Sequence, residues 1–382
     1  VTTLYLGHPK NYDPEAVANL LQTKQIRSIA NLEKAIFSLE YIAQLKKTGL
    51  DFIFKGGSAV QILLGDKWNR LSVDADICTT TPEKELDLIL KNINRRFGDT
   101  NFQHDKRESE LQGPFVSYRI RTPPLTDIQR TILLDAQLVN PEYTIQNTKL
   151  ESFFYKSEIK VQTPTPNSIL GDKMSVIGSH TIGRKLKTSQ NGVEYAKHFY
   201  DINSLAENLS NFNETKQTYS STIKIQEKIR GQKYQREECI EDAAFTCHVA
   251  SLPQDRGEAL IQTSPTDKQR ALLEFTKLKS GLSQFRPFTV DETIYTWDEL
   301  RKYSTTTAVL LELVRKNATA EKAKAILHSN PIDALGLSTL IRRIRDVEKE
   351  KRWFIDLEEI TAFHEILANL YKYFYIDELL ET

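Results

Sequence analysis

The sequence predicts an α+β protein, with a mixed sheet flanked by helices over residues 1–210 and an all-α helical bundle over 211–382. Three observations predict it. Short segments of strict apolar–polar alternation, the period of a half-buried strand, occur only in the first part. Helical apolar spacing dominates the second, as in Leu337, Leu340, Ile341, Ile344 and Val347 and again in Ile360, Phe363, Leu367, Leu370 and Phe374. Between them Ser210 to Thr215, rich in small polar residues, reads as a linker.

Composition bounds the function. At 40% hydrophobic and 27% charged, the chain is an ordinary folded protein rather than a disordered one. Lys+Arg and Asp+Glu balance at 51 each, so no net charge steers it toward nucleic acid or membrane, although local patches stay open. Cys78, Cys239 and Cys247 form no CxxC pair and are odd in number, which argues against a disulfide framework or a thiolate zinc site. No apolar run approaches the roughly 18–20 residues of a membrane span. A cytoplasmic protein without a membrane partner is the expectation.

The elements follow in order. Ile29, Leu32, Ile36, Leu39 and Ala43 predict a helix over 26–47, with Gly49 as its stop. Asp51–Lys55 is a short strand broken by Gly56-Gly57, and Ser58 is expected to cap a helix to Leu64. Val73–Cys78 alternates, with Val73, Ala75 and Ile77 on one face and Asp74 and Asp76 on the other. Pro82 opens a helix to about Arg96. Strands are expected at Thr100–His104, Phe115–Arg121, Arg130–Leu138 and Glu158–Gln162. Thr165-Pro166 opens a helix carrying Lys173, Gly178–Gly192 is a basic loop, and Val193–Leu209 is a helix.

The chemistry concentrates in two stretches, Lys55-Gly56-Gly57-Ser58 and Arg70-Leu71-Ser72-Val73-Asp74-Ala75-Asp76. A Gly-Gly-Ser turn from strand to helix lets backbone approach a phosphate, and the helix N-terminus supplies free N–H groups and a favourable dipole. Two carboxylates at i and i+2 of a strand share a face and can hold Mg²⁺. A third carboxylate on another strand completes such a site, and Asp135 is the candidate, since it lies with Leu133 and Gln137 on the polar-side face of the otherwise apolar strand Arg130–Leu138. Taken singly, Gly-Gly-Ser is a turn and Asp-x-Asp a solvated strand face. Their order along one chain is what points to metal-dependent phosphoryl or nucleotidyl transfer.

The segment KGGSAVQILLGDKWNRLSVDADI resembles the signature of the AbiEii/AbiGii-type nucleotidyltransferases, toxins of type IV toxin–antitoxin and abortive-infection systems. Val60 and Ala75 stand where that family usually has Leu and Ile or Leu. PTPNSILGDKMSVIG resembles a downstream family segment and puts Lys173 at its active-site lysine. AKHFYDINSLAENL resembles another, with Asp201 retained and His198 in place of the first Asp. The resemblance implies a nucleotidyltransferase fold, with Asp74, Asp76 and Asp135 as metal ligands and Lys173 and Asp201 assisting. Lys55, Gly57, Ser58, Arg70 and Ser72 would lie at the NTP. It also implies Mg²⁺ or Mn²⁺, an RNA acceptor such as the tRNA 3′ end, and a cognate antitoxin.

Other roles stay open at this point. The same metal site would serve transfer to a protein hydroxyl. His198 motivates a degenerate, non-catalytic binding module. Arg70 and Ser72 could orient the Asp-x-Asp strand rather than touch phosphate, and Lys197 with Asp201 could be a surface i,i+4 pair. Two basic clusters could meet RNA or simply be solvated helix faces. One holds Arg342, Arg343, Arg345, Lys349, Lys351 and Arg352, followed by Trp353; the other holds Lys216, Lys224, Lys228, Arg230, Lys233 and Arg236.

Overall fold

The structure is a computed structural model and describes residues 4–97, 102–107, 113–126, 128–255, 257–261, 264–351 and 364–381, the side chains of 347–351 excepted. Two compact units are present. One comprises 1–169, 224–232 and 286–294, the other 170–223, 233–285 and 295–382.

The first unit is built on a seven-stranded mixed sheet of order β3-β4-β5-β2-β1-β7-β6. Its strands are β1 (Ile53–Lys55), β2 (Ala75–Cys78), β3 (Gln103–Arg107), β4 (Phe115–Arg121), β5 (Thr131–Gln137), β6 (Ile145–Ser152) and β7 (Tyr155–Pro164). The β2–β5 and β1–β7 pairs are parallel and the others antiparallel. Helices α1 (Pro14–Thr23), α2 (Ile29–Lys47), α3 (Gly56–Leu64) and α4 (Glu83–Phe97) complete it.

Helix α2 forms because Ser28 caps it, its hydroxyl accepting from Asn31 N at 3.2 Å, and it stops where Gly49 takes φ +85°. Every residue from Ala35 to Leu45 is buried, so it is the central helix of this unit. It packs on β2, β5 and β7 and against α3 and α4. Ala75, Ile77, Leu134, Ala136, Val116, Tyr118 and Ile120 are all buried, so one sheet face is a continuous apolar surface. The buried carboxylate of Glu40 on α2 accepts from Leu6 N, Gly7 N, Tyr12 OH, Gln44 Nε2 and Tyr155 OH, which ties residues 6–12 and β7 to the core.

The second unit is helical. It carries most of α5 (Pro166–Ser175), α6 (Ser189–Ala206), the start of α7 (Phe212–Arg230), α8 (Arg236–Ala250), α9 (Gly257–Leu260), α10 (Pro265–Ser283) and α11 (Trp297–Arg315). It ends with α12 (Ala320–His328), α13 (Pro331–Leu335), α14 (Leu337–Lys351), α15 (His364–Phe374) and α16 (Ile376–Glu381). Leu340 and Ile344 of α14 pack with Ile366, Leu367, Leu370 and Tyr371 of α15, as the helical spacing predicts. Ile360, Phe363, Arg352 and Trp353 lie outside the described residues.

Several expectations are corrected. Residues 210–215 are not an open linker: α7 begins at Phe212, whose side chain is fully buried. The third strand starts at Gln103, residues 100 and 101 being outside the described set. Strand β6 has no counterpart among the strands expected from the sequence. Among the described residues no helix is long and apolar enough to cross a membrane, and all three cysteines are buried and unbridged.

Candidate active site

The site grows out of the β1–α3 turn. Lys55 closes β1 and caps α3, and Gly56 opens the helix at φ +74°, a conformation costly for any residue with a Cβ. A Cβ there would also run into the Asp76 side chain, 2.6 Å from its Cγ. One at Gly57 would stand 2.6 Å from Ser72 Oγ and 2.9 Å from Arg70 Nη2. The glycine pair is therefore required by close approach: it makes room for Asp76, Ser72 and Arg70.

Ser58 is corrected from cap to clamp. The helix begins two residues earlier, and the Ser58 hydroxyl, almost fully buried, donates to the Asp74 carbonyl at 2.5 Å. Ser38 of α2 donates to the same carbonyl at 3.0 Å. Two hydroxyls from two helices thus fix the backbone of Asp74.

The loop before β2 is held from both sides. Gln61 Oε1 accepts from Ser72 N at 3.0 Å. The segment 286–294 returns to pair Arg70 with Thr289, and Leu71 N donates to Phe288 O at 2.7 Å. Arg70 itself is buried, its guanidinium 4.7 Å from the Trp68 ring and donating to Leu71 O at 3.1 Å. Its packing is that of a pillar beneath the glycine turn.

The sheet register then assembles the polar row. Lys55 lies opposite Asp76, Asp76 beside Asp135, and Asp135 opposite Ser117. Ladder partners share a face, and neighbouring strands are about 4.8 Å apart, so these side chains emerge side by side. Asp74, two residues before Asp76, lies on that face too, with Oδ1 accepting from Leu133 N at 3.2 Å. All three carboxylates are half-buried. Ser117, not among the residues expected from the sequence, is buried and donates to Asp135 Oδ1 at 2.6 Å, orienting that carboxylate. In the sequence it is one of three polar residues on one face of this strand, with Arg119 and Arg121, and only its burial and the register with Asp135 single it out. Lys55 Nζ is 5.9 Å from the Tyr143 ring centre.

Lys173 and Asp201 belong to the helical unit and meet there: Lys173 Nζ is 2.9 Å from Asp201 Oδ2, with both side chains buried. Lys197 pairs with Glu194 at 3.0 Å, while His198 is half-buried on α6. In the second basic cluster Lys224, Lys228 and Lys233 are exposed, while the other three residues make contacts within the chain. Lys216 Nζ donates to Asn317 Oδ1 and to Ala318 O, Arg236 donates to Val314 O, and Arg230 donates to Gln226. In the first, Arg343 is held by Glu378 and Tyr371.

The model for a family described as nucleotidyl transferase AbiEii toxin, type IV TA system, matches residues 40–279, more than half the chain. The chain belongs to this AbiEii nucleotidyltransferase family. The matched AbiEii span contains the glycine turn, the three carboxylates, Lys173 and Asp201. Among solved structures the chain is similar to MenT4, a nucleotidyltransferase toxin from Mycobacterium tuberculosis H37Rv, at 14% identity and a TM-score of 0.44. That match covers 82% of this chain and 99% of the other, and at such distance it transfers no residue roles. No curated protein matches. As an AbiEii member the chain is a nucleotidyltransferase of the toxin–antitoxin class.

Proposed function

We propose that this enzyme uses Mg²⁺ or Mn²⁺ to transfer a nucleotide from an NTP to an RNA acceptor, in the manner of a toxin acting on the tRNA 3′ end in the cytoplasm and restrained by a cognate antitoxin. The observation that carries the reading is the in-register row Lys55–Asp76–Asp135–Ser117 with Asp74 beside it.

The donor set suits the ion. Three carboxylates without sulfur or imidazole favour a hard cation such as Mg²⁺ or Mn²⁺. Among the described residues no three ligating side chains are already closed into an ion cluster. Mg²⁺ is typically held by one or two carboxylates with substrate phosphates completing its shell, so Asp74, Asp76 and the triphosphate are sufficient, with Asp135 adjoining. When bound, the ion supplies charge neutralisation at the α-phosphoryl group and the departing pyrophosphate.

The chain's own residues do the rest. Lys55 at the N-terminus of α3 brings positive charge to the triphosphate side, and the helix dipole adds to it. Gly57, Ser58, Arg70 and Ser72 keep that turn against β2. Asp135, oriented by Ser117, accepts the proton of the attacking hydroxyl. The hydroxyl oxygen forms a bond to the α-phosphorus, the bond from that phosphorus to the bridging oxygen breaks, and pyrophosphate leaves. Lys173 and Asp201 serve within the helical unit, as a buried ion pair that ties α5 to α6.

The test is incubation of the full chain with α-labelled and γ-labelled NTPs, each of the four bases, and either total tRNA or candidate proteins. Transfer of α-label to RNA is expected. Transfer of γ-label alone would replace nucleotidylation with phosphorylation, and label on protein alone would replace the acceptor.

A further inference from the structure

The polar row continues beyond Ser117. Ser117 lies opposite Arg107 on β3, and one rung along, Leu133 faces Arg119 and Arg119 faces Asp105. Residues two apart in a strand share a face, so Arg107, Arg119 and Arg121 emerge on the face that carries Asp74, Asp76 and Asp135. All three arginines are exposed, and Arg121 holds Asp105 at 3.3 Å. Arg107 and Arg119 are diagonal neighbours across the β3–β4 pair, about 7–8 Å apart at the backbone. No large apolar side chain is exposed on the described residues of β3 or β4.

The carboxylates therefore divide this face. On one side stand Lys55 and the glycine turn, and on the other stand the arginines, with Asp135 the carboxylate nearer to them. We propose that Arg107 and Arg119 grip the backbone phosphates of the RNA acceptor and deliver its terminal hydroxyl to Asp135, while the triphosphate enters from the Lys55 side. This rests on the nucleotidyltransferase reading above and adds the direction from which the acceptor arrives. Guanidinium forks match phosphate oxygens in pairs, which suits a polyanion. A protein acceptor would call for broad apolar contact, and on this face the strip offers only the half-buried Phe115 and Leu133 between exposed guanidinium groups.

The experiment measures RNA binding by fluorescence anisotropy with labelled total tRNA, from about 50 to about 200 mM salt. Wild type, Arg107→Ala/Arg119→Ala and Arg119→Lys are compared, and a fluorescent NTP analogue is titrated in parallel. Removing one arginine–phosphate pair lowers the slope of log affinity against log salt by about 0.7–0.9, so the double variant should fall short of wild type by about 1.5 units of slope, with RNA affinity reduced about tenfold. Its NTP affinity should be unchanged, and in the transfer assay the acceptor KM should rise while kcat at saturating RNA holds. Arg119→Lys should keep the slope of wild type with weaker binding. Equal slopes and affinities in wild type and double variant would overturn the proposal, as would a wild type that does not bind RNA. Parallel loss of NTP affinity would overturn the division of the face. Transfer of α-label to some other acceptor, unaffected by the arginines, would remove this inference and leave nucleotidyl transfer standing. Absence of transfer by wild type would remove the latter, and the anisotropy would still decide the arginines.

Discussion

Gly56→Ala compared with Gly49→Ala isolates what the glycine turn does for the carboxylates. Both glycines have positive φ, +74° and +85°. Each alanine therefore meets the left-handed penalty of about 1–2 kcal/mol. At Gly49 nothing lies within 4 Å of the added Cβ, so that penalty is the whole effect. At Gly56 the Cβ collides with the Asp76 carboxylate, and the forced shift adds about 1–3 kcal/mol of overpacking. Displacing a reacting-site group by about an ångström costs on the order of 100-fold in rate. Urea unfolding and steady-state transfer, measured on both variants, separate the two effects. Gly49→Ala should lose about 1–2 kcal/mol of stability and keep its kcat. Gly56→Ala should lose about 2–5 kcal/mol and about two decades of kcat. Wild-type transfer by Gly56→Ala, with no more destabilisation than Gly49→Ala, would refute the packing of Gly56 on Asp76 as the reason for the motif.

Three further outcomes follow from the same packing. Lys173→Ala leaves Asp201 buried without its 2.9 Å partner and should cost about 3–5 kcal/mol by denaturation, much of it regained in Lys173→Met/Asp201→Leu, which removes both charges; additive losses would contradict the pair. Ser117→Ala frees Asp135 Oδ1 of a 2.6 Å hydrogen bond and should lower kcat about tenfold with little change in NTP affinity, so an unchanged kcat would remove Ser117 from the site. Burial, then the nearby Glu40 carboxylate, push the phenols of Tyr12 and Tyr155 well above their usual 10.0. The unfolded chain then ionises first, so stability is fully present below about pH 10 and falls as pH rises beyond it. Alkaline melts of Tyr12→Phe should show a shallower fall, and an identical pH profile would contradict the assignment.

The sequence made the site's centre legible because its parts are local. Gly56-Gly57, Asp74/Asp76 and the alternation around Asp135 each sit within a few residues, and strand period alone puts the carboxylates on one face. The strands Phe115–Arg121 and Thr131–Gln137 were readable because one face is fully apolar. Strand β6 was not, since Ile145, Gln146 and Asn147 of this edge strand are exposed and its apolar signal is thin. Long-range pairing was also invisible: nothing local links Arg70 to Thr289, Ser58 to the Asp74 carbonyl, or Ser117 to Asp135. Phe212 looked like part of a linker because its neighbours are Ser, Asn and Glu, yet its own ring is buried. Polar composition reports the exposed side of a segment and says little about a single anchoring residue.

The central claim is that Asp76, in register with Lys55 and Asp135, serves transfer of a nucleotide from NTP to RNA. Label transfer from α-labelled and γ-labelled NTP to total tRNA, by wild type and Asp76→Asn, tests it most directly. The account predicts α-label in the RNA, γ-label released as pyrophosphate, and a loss of at least about 100-fold in Asp76→Asn, the several kcal/mol that metal-assisted charge stabilisation supplies. Label from the γ position alone in the acceptor, or equal α-transfer by Asp76→Asn, would contradict it.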